Sequence, residues 1–151
     1  MVTAMRVTTM IHAPRNIAVK CFADDDWRLE HDVGYSFVAG GNVRGIVVPK
    51  GYSTDGASIP RFLWRIAGHP FMKENLAACI LHDYCFTNRP YIGHNRCTFK
   101  QSADLYRAVQ EYNGAGWWSI TAHRIGILSP FARRVWRSHD DEFEIVAAPA
   151  V

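Results

Sequence analysis

No stretch of eighteen consecutive apolar residues occurs in this sequence, which excludes a membrane-spanning helix of the hydropathic kind. Met1 to Arg15 also lacks the compact apolar run of a secretory signal, so the expectation is a protein that starts in a cytoplasm. Charge of one sign is scarce: the formal balance is +3 and the pI about 8.8, too mild for a dedicated nucleic-acid binder. Cysteine is scarce as well, with four thiols at Cys21, Cys79, Cys85 and Cys97. A chain of this length makes a core without covalent staples, so free thiols are expected. If Cys79 and Cys85 share a helix, their six-residue separation rises about 9 Å, beyond the usual disulfide Cα spacing of up to about 6.8 Å.

What is present is ordinary for a globular domain. The 151 residues are 48% hydrophobic and 21% charged. Such a chain buries roughly 70% of its unfolded surface in one core, so residues 1–151 are expected to form a single domain. Segments 5–12, 17–22, 27–31, 34–38 and 43–48 are short and rich in Val, Ile, Thr, Phe and Tyr, with breaks at Pro14, Asp24 to Asp26 and Gly40 to Asn42. This predicts a small antiparallel sheet. After Pro60 the apolar spacing becomes helical, over 61–67, 72–86, 100–113, 117–126 and 130–138. Strands followed by helices predict an α+β fold, with a crossover at 49–60 and a tail at 139–151.

The most informative segment is His82-Asp83-Tyr84-Cys85-Phe86, where a helix leaves the apolar run Leu76 to Leu81. Adjacent helical residues point about 100° apart, so His82 and Asp83 suit neighbouring positions in one pocket rather than one shared atom. Asp104, on the next helical segment, is placed to orient His82 through its second ring nitrogen, a common device of general-base sites and metal surroundings. In the crossover, Thr54, Asp55 and Ser58 offer hydroxyls and a carboxylate to a cation or substrate, although such residues also satisfy their own backbone. Cys79, His82 and Cys85 recur every third residue, but steps of three drift by about 60° each, which disfavours a compact zinc site. Trp64, Trp117, Trp118 and Trp136 are expected to pack in the core. The basic run Arg133 to Arg137 and the acidic run His139 to Glu144 are expected to be solvated.

The segments VPKGYSTDGASIPRFLW, AACILHDYCF and SADLYRAV together resemble an uncharacterised family of small bacteriophage and prophage proteins, the domain of unknown function numbered thirteen fifty-three. Its pattern runs VPxGFxTDxASIPxxLW, AAxxHDYLY and an AD pair before a helix. Cys85-Phe86 stands where Leu-Tyr is usual. The resemblance covers about residues 27–125 and implies a phage origin and a shared fold more than an activity. A looser likeness links the helix around His82 to the CxxHDxCY helix of secreted phospholipases A2. It implies His82 as the base that activates water, Asp83 as a calcium ligand and Asp104 as the carboxylate that orients the histidine. The glycine-rich calcium loop of those enzymes has no counterpart in Arg65 to Phe71, and Phe86 replaces their bracing tyrosine.

Two function classes follow, with a third behind them. One is a phage-encoded, metal-assisted ester hydrolase, with His82 and Asp104 catalytic, Asp55, Ser58 and Asp83 binding substrate or cation, and a divalent ion such as calcium held by Asp83 and Asp55. The second is a non-enzymatic virion, tail or assembly component in which His82, Asp83 and Asp104 form a structural polar network. The third is an inhibitor of a host protein. Expected partners are phage structural proteins or the bacterial envelope, and the expected location is the host cytoplasm during infection or the virion itself. A covered His82 and Asp104, with a large apolar patch elsewhere, mark the second class; an open cleft at His82 with a solvent path marks the first.

Overall fold

The computed structural model describes residues 5–23, 26–54 and 75–140. The expected crossover beyond Thr54, the helix at 61–67, and Asp55, Ser58 and Trp64 lie outside the described residues. Strands β1 (Val7–His12), β2 (Val19–Ala23), β3 (Asp26–Leu29), β4 (Val33–Ala39) and β5 (Asn42–Val48) come first, as the spacing predicts. A short β6 (Ser53–Thr54) precedes helix α1 (Leu76–Asn88). A hairpin of β7 (Tyr91–Ile92) and β8 (Asn95–Arg96) then interrupts the helical part, followed by α2 (Phe99–Tyr112), α3 (Trp117–Ile127) and α4 (Pro130–Ser138). The fold is α+β, with antiparallel sheets first and helices after.

The main sheet has the order β1-β4-β5. Alternation in β4 turns Val33, Tyr35, Phe37 and Ala39 to the inside, opposite partners that continue the buried face through Ile46 and Val48 of β5. Gly40 and Gly41 connect β4 to β5 with positive φ at both positions, the conformation a two-residue hairpin turn requires. Helices α1 and α2 cover this face and pack on each other. Helix α1 has no polar side over most of its length: Ala77, Ala78, Cys79, Ile80, Leu81, His82 and Cys85 are all buried. A helix apolar all round belongs in the centre of a core. Tyr35 reaches from the sheet to donate its hydroxyl to the Ala77 carbonyl at 2.7 Å.

Local chemistry explains the ends of the helices. Thr98 and Gln101 form a reciprocal capping box at the start of α2, and Ser129 caps α4 ahead of Pro130. Helix α1 ends at Arg89, whose φ of 41° is left-handed. That residue is almost wholly buried, and its guanidinium binds the Trp136 carbonyl at 2.6 Å and Asp140 at 2.7 Å while lying over the Trp136 ring. The end of α4 is thereby fixed to the end of α1. A second sheet, β2-β3-β6, sets Trp27 opposite Thr54 and so aims the start of the crossover at α1.

All four cysteines are free thiols. Cys79 and Cys85 share α1, as the spacing required, and their sulfurs find different partners: Cys79 meets the Tyr106 hydroxyl and Cys85 meets Cys97. Trp136 is buried, but Trp117 and Trp118 are not, against the expectation from their apolar surroundings. Helix α3 packs inward through Ala122, His123, Gly126 and Ile127, and at about 100° per residue this leaves positions 117, 118 and 125 on the opposite side.

Candidate functional site

Strand β6 and helix α1 bring two of the distinctive sequence segments together. Thr54, itself buried, donates its hydroxyl to the Asp83 carboxylate in a short hydrogen bond. Two further contacts run beside it: the Tyr52 and Thr87 hydroxyls are 2.8 Å apart, and the Tyr52 and Tyr84 rings meet edge to face at 5.3 Å. Asp83 and its neighbours on the outer side of α1 therefore clamp the beginning of the crossover onto the helix.

His82 points the other way, into the core, as the 100° step between neighbours requires. Its side chain is 1% exposed. The ring lies 4.6 Å from that of Phe86 and 5.4 Å, edge on, from that of Tyr106. Neither ring nitrogen has a hydrogen-bond partner among the described residues. Burial among apolar and aromatic groups disfavours the imidazolium and lowers the His82 pKa to about 3. The ring is therefore neutral at physiological pH.

Asp104 does not orient His82, contrary to the sequence expectation. Its carboxylate accepts from Lys100 at 2.8 Å and from Arg124 at 3.4 Å. The cause is helical phase: Tyr106 faces inward, and Asp104, two residues earlier and about 200° away, falls at the solvent edge of α2. There it lines a cavity of about 190 Å³ with Arg6, Thr8, Arg107 and Arg124. A larger cavity, about 500 Å³, lies over Lys20, Phe22, Arg28 and Glu30. Neither includes His82 or Asp83 among its lining residues. Asp104→Asn is expected to leave the surroundings of His82 unchanged and to cost no more than about 1 kcal/mol in a chemical melt, the scale of a partly exposed ion pair.

The calcium implied by the phospholipase likeness needs six to eight oxygen ligands. Among the described residues no three His, Cys, Asp or Glu side chains gather as a cation set. Asp55, the second expected ligand, lies outside them. Asp83 Oδ2 is engaged by Thr54. The described donor set does not fit the ion. The Cys79, His82 and Cys85 alternative fails for a different reason: the two thiols face different partners, and burial pushes the Cys79 pKa up while the contact with Cys97, together with burial, pushes the Cys85 pKa up, away from the thiolates that zinc requires.

A buried polar network that sequence reasoning did not find lies behind His82. Gln110 Nε2 donates to Asn75 Oδ1 at 2.9 Å and sits 3.0 Å from His123 Nδ1. An amide nitrogen carries only donors, so Nδ1 is an acceptor and the ring proton is assigned to Nε2. The Tyr106 hydroxyl, 2.7 Å from the same Nδ1, donates to it and receives the Cys79 thiol proton across 3.3 Å. Donors and acceptors thus run in order from Cys79 through Tyr106 to His123, met from the far side by Gln110. Tyr106 and Cys79 both have pKa values raised by desolvation, which keeps their protons in place. The signal was present in α2: Ser102, Tyr106 and Gln110 recur every four residues along a face otherwise made of Leu105 and Val109.

The segment that carries Thr54, the His82-Asp83 helix and α2 falls within the match to a recognised family. Its model, described as "Protein of unknown function (DUF1353)", matches residues 27–123. The chain belongs to the DUF1353 family. That match spans β3 to α3 and includes every residue of the lock and of the buried network. This DUF1353 member is also similar to the uncharacterized protein y4jT of Sinorhizobium fredii, 42% identical over 48 residues. The aligned part is 32% of this chain and 14% of that protein. No solved structure matches.

Proposed function

We propose that this protein is a non-enzymatic component of a phage or prophage system that works through its surface, with the His82-Asp83 segment serving as an internal lock. The observation that carries this reading is the sealed His82: a general base has to reach a substrate proton within hydrogen-bond distance, and this ring is enclosed by Phe86 and Tyr106. Asp83 holds the crossover through Thr54, while exposed large apolar side chains are spread over the strands, at Ile11, Phe22, Val43 and Val47, and over α3 and α4, at Trp117, Trp118, Ile125 and Phe131. The expected partners are phage structural proteins or the bacterial envelope, met in the host cytoplasm or in the particle.

The test is His82→Leu, which keeps the volume and removes two polar atoms that no described residue satisfies. An unsatisfied buried polar group costs about 1–3 kcal/mol, so this variant is expected to melt no lower than the wild type, and higher if the cavity accepts leucine without strain. A loss of several kcal/mol contradicts the reading.

The hydrolase is the second reading, and one observation favours it: both nitrogens of the buried His82 imidazole find no hydrogen-bond partner among the described residues, and a buried polar group of this kind suits a bound ligand. In that reading a divalent cation sits at Asp83 and Asp55. Its test is a thermal shift with Ca²⁺, Mg²⁺, Mn²⁺ and Zn²⁺ on the wild type and on Asp83→Ala. An ion that binds only the folded state raises the melting temperature by mass action, and a shift lost in the variant supports the hydrolase. No shift with any of the four ions is the result expected here.

A further inference from the structure

The sheet β2-β3-β6 borders the cavity of about 500 Å³, and the cavity wall combines an aromatic ring with cations. In the β2–β3 pairing Lys20 stands directly opposite Arg28, so the two side chains share one face of the sheet. Phe22 joins them: Lys20 Nζ lies 5.5 Å from the centre of its ring and the Arg28 guanidinium carbon 4.5 Å. The ring is still 57% exposed with both cations against it. Lys50 and Gly51, in the turn after β5, complete the lining on a backbone that is already pinned. The Gly51 N–H donates to the Leu29 carbonyl at 2.9 Å and the Lys50 N–H to the Asp32 carboxylate at 2.7 Å. The lining holds three cations, Lys20, Arg28 and Lys50, and one carboxylate, Glu30. Arg28 is paired with Asp26 at 2.8 Å, whereas Lys20 and Lys50 make no ion pair among the described residues.

We infer that this cavity binds a nucleotide: a planar base joined through a sugar to phosphate. Its volume falls in the range of small-molecule sites, roughly 300–1,000 Å³. An exposed aromatic ring is a stacking platform for any base, and Phe22 supplies one. The two ammonium groups without an ion pair meet the phosphate, for which lysine acts as a point charge. Glu30 is an acceptor for the sugar hydroxyls. The overall charge of +3 is no obstacle, because one nucleotide needs two cations rather than the six to ten phosphate contacts of a duplex binder. The inference goes beyond the non-enzymatic reading and shares no residue with the Thr54–Asp83 lock or with His82, so the two fail separately.

The experiment is titration calorimetry of the whole protein with adenosine 5′-monophosphate, run beside adenosine, ribose 5-phosphate and a single strand of deoxyadenylates. The mononucleotide is expected to bind about tenfold or more tighter than either of its parts, since each part lacks the stacking or the charged contact. Phe22→Ala is expected to weaken it on the order of tenfold. Lys20→Gln with Lys50→Gln is expected to weaken it on the order of a hundredfold, for two charged hydrogen bonds. All three side chains are exposed, so both variants should melt near the wild type. The strand distinguishes the source: affinity equal to that of the mononucleotide supports a free nucleotide, and tighter binding lost in the same variants supports a nucleotide within a single strand. No binding of either phosphorylated base overturns the inference. So does ribose 5-phosphate or adenosine binding as tightly as the mononucleotide, or affinity unchanged in Phe22→Ala and in the double lysine variant.

Discussion

Acidification from pH 7 to pH 4 is expected to cost this protein about 3 kcal/mol of stability through His82 alone. The residue is sealed in the core, and desolvation takes its pKa down to about 3 in the folded state. In the unfolded chain the same imidazole titrates near its ordinary value of about 6.5. Between those values the unfolded state binds a proton that the folded state refuses. The contribution is therefore fully present above pH 6.5 and is lost progressively as pH falls toward 3. Urea melts across that range, on the wild type and on His82→Leu, isolate the effect. The difference in stability between the two proteins should change by about one proton's worth, roughly 1.4 kcal/mol for each pH unit, over most of the window. Parallel pH profiles in the two proteins are incompatible with a sealed neutral histidine.

His123→Ala is expected to lower stability by about 3–5 kcal/mol, a larger single-site loss than at any exposed position considered above. The ring is wholly buried, and its Nδ1 meets both the Tyr106 hydroxyl and the Gln110 amide. Its removal opens a cavity and deprives two donors of their acceptor. Tyr106→Phe removes only a hydroxyl and is expected to cost about 1–3 kcal/mol, the range for one disrupted buried hydrogen bond. Because the two residues share one bond, the double variant His123→Ala with Tyr106→Phe should fall short of the sum by about 0.5–3 kcal/mol. Strict additivity in equilibrium denaturation contradicts the network.

Much of the fold was legible in the sequence because its patterns are local. Five short β-prone segments separated by turn residues became β1 to β5, and helical spacing placed α2, α3 and α4 within a residue or two. The β7–β8 hairpin escaped notice because each strand has only two residues, too few for alternation to register. The candidate site was legible only in part. That His82 and Asp83 diverge followed from helix geometry, and the structure uses the divergence to point one residue inward and the other toward Thr54. Which of the two would face solvent depends on packing from β6, α2 and α4, which no local pattern encodes. The role expected of Asp104 failed on phase: Tyr106, not Asp104, turns toward the histidine ring. The same limit applies to Trp117 and Trp118. Aromatic composition suggested core, and only the choice of Ala122, His123 and Gly126 as the packed face sent the tryptophans outward.

On the proposed function His82 is an enclosed structural residue and not an accessible base. Its most direct test is an NMR titration of the imidazole in ¹⁵N-histidine-labelled protein, with His82→Leu identifying the resonance. The account expects a neutral ring whose chemical shifts stay flat from pH 8 to about pH 4, unchanged by added calcium. A sigmoidal titration with a midpoint near the ordinary histidine value of about 6.5, or a shift of that resonance on adding calcium, would contradict it and return the His82-Asp83 pair to the role of a chemical site.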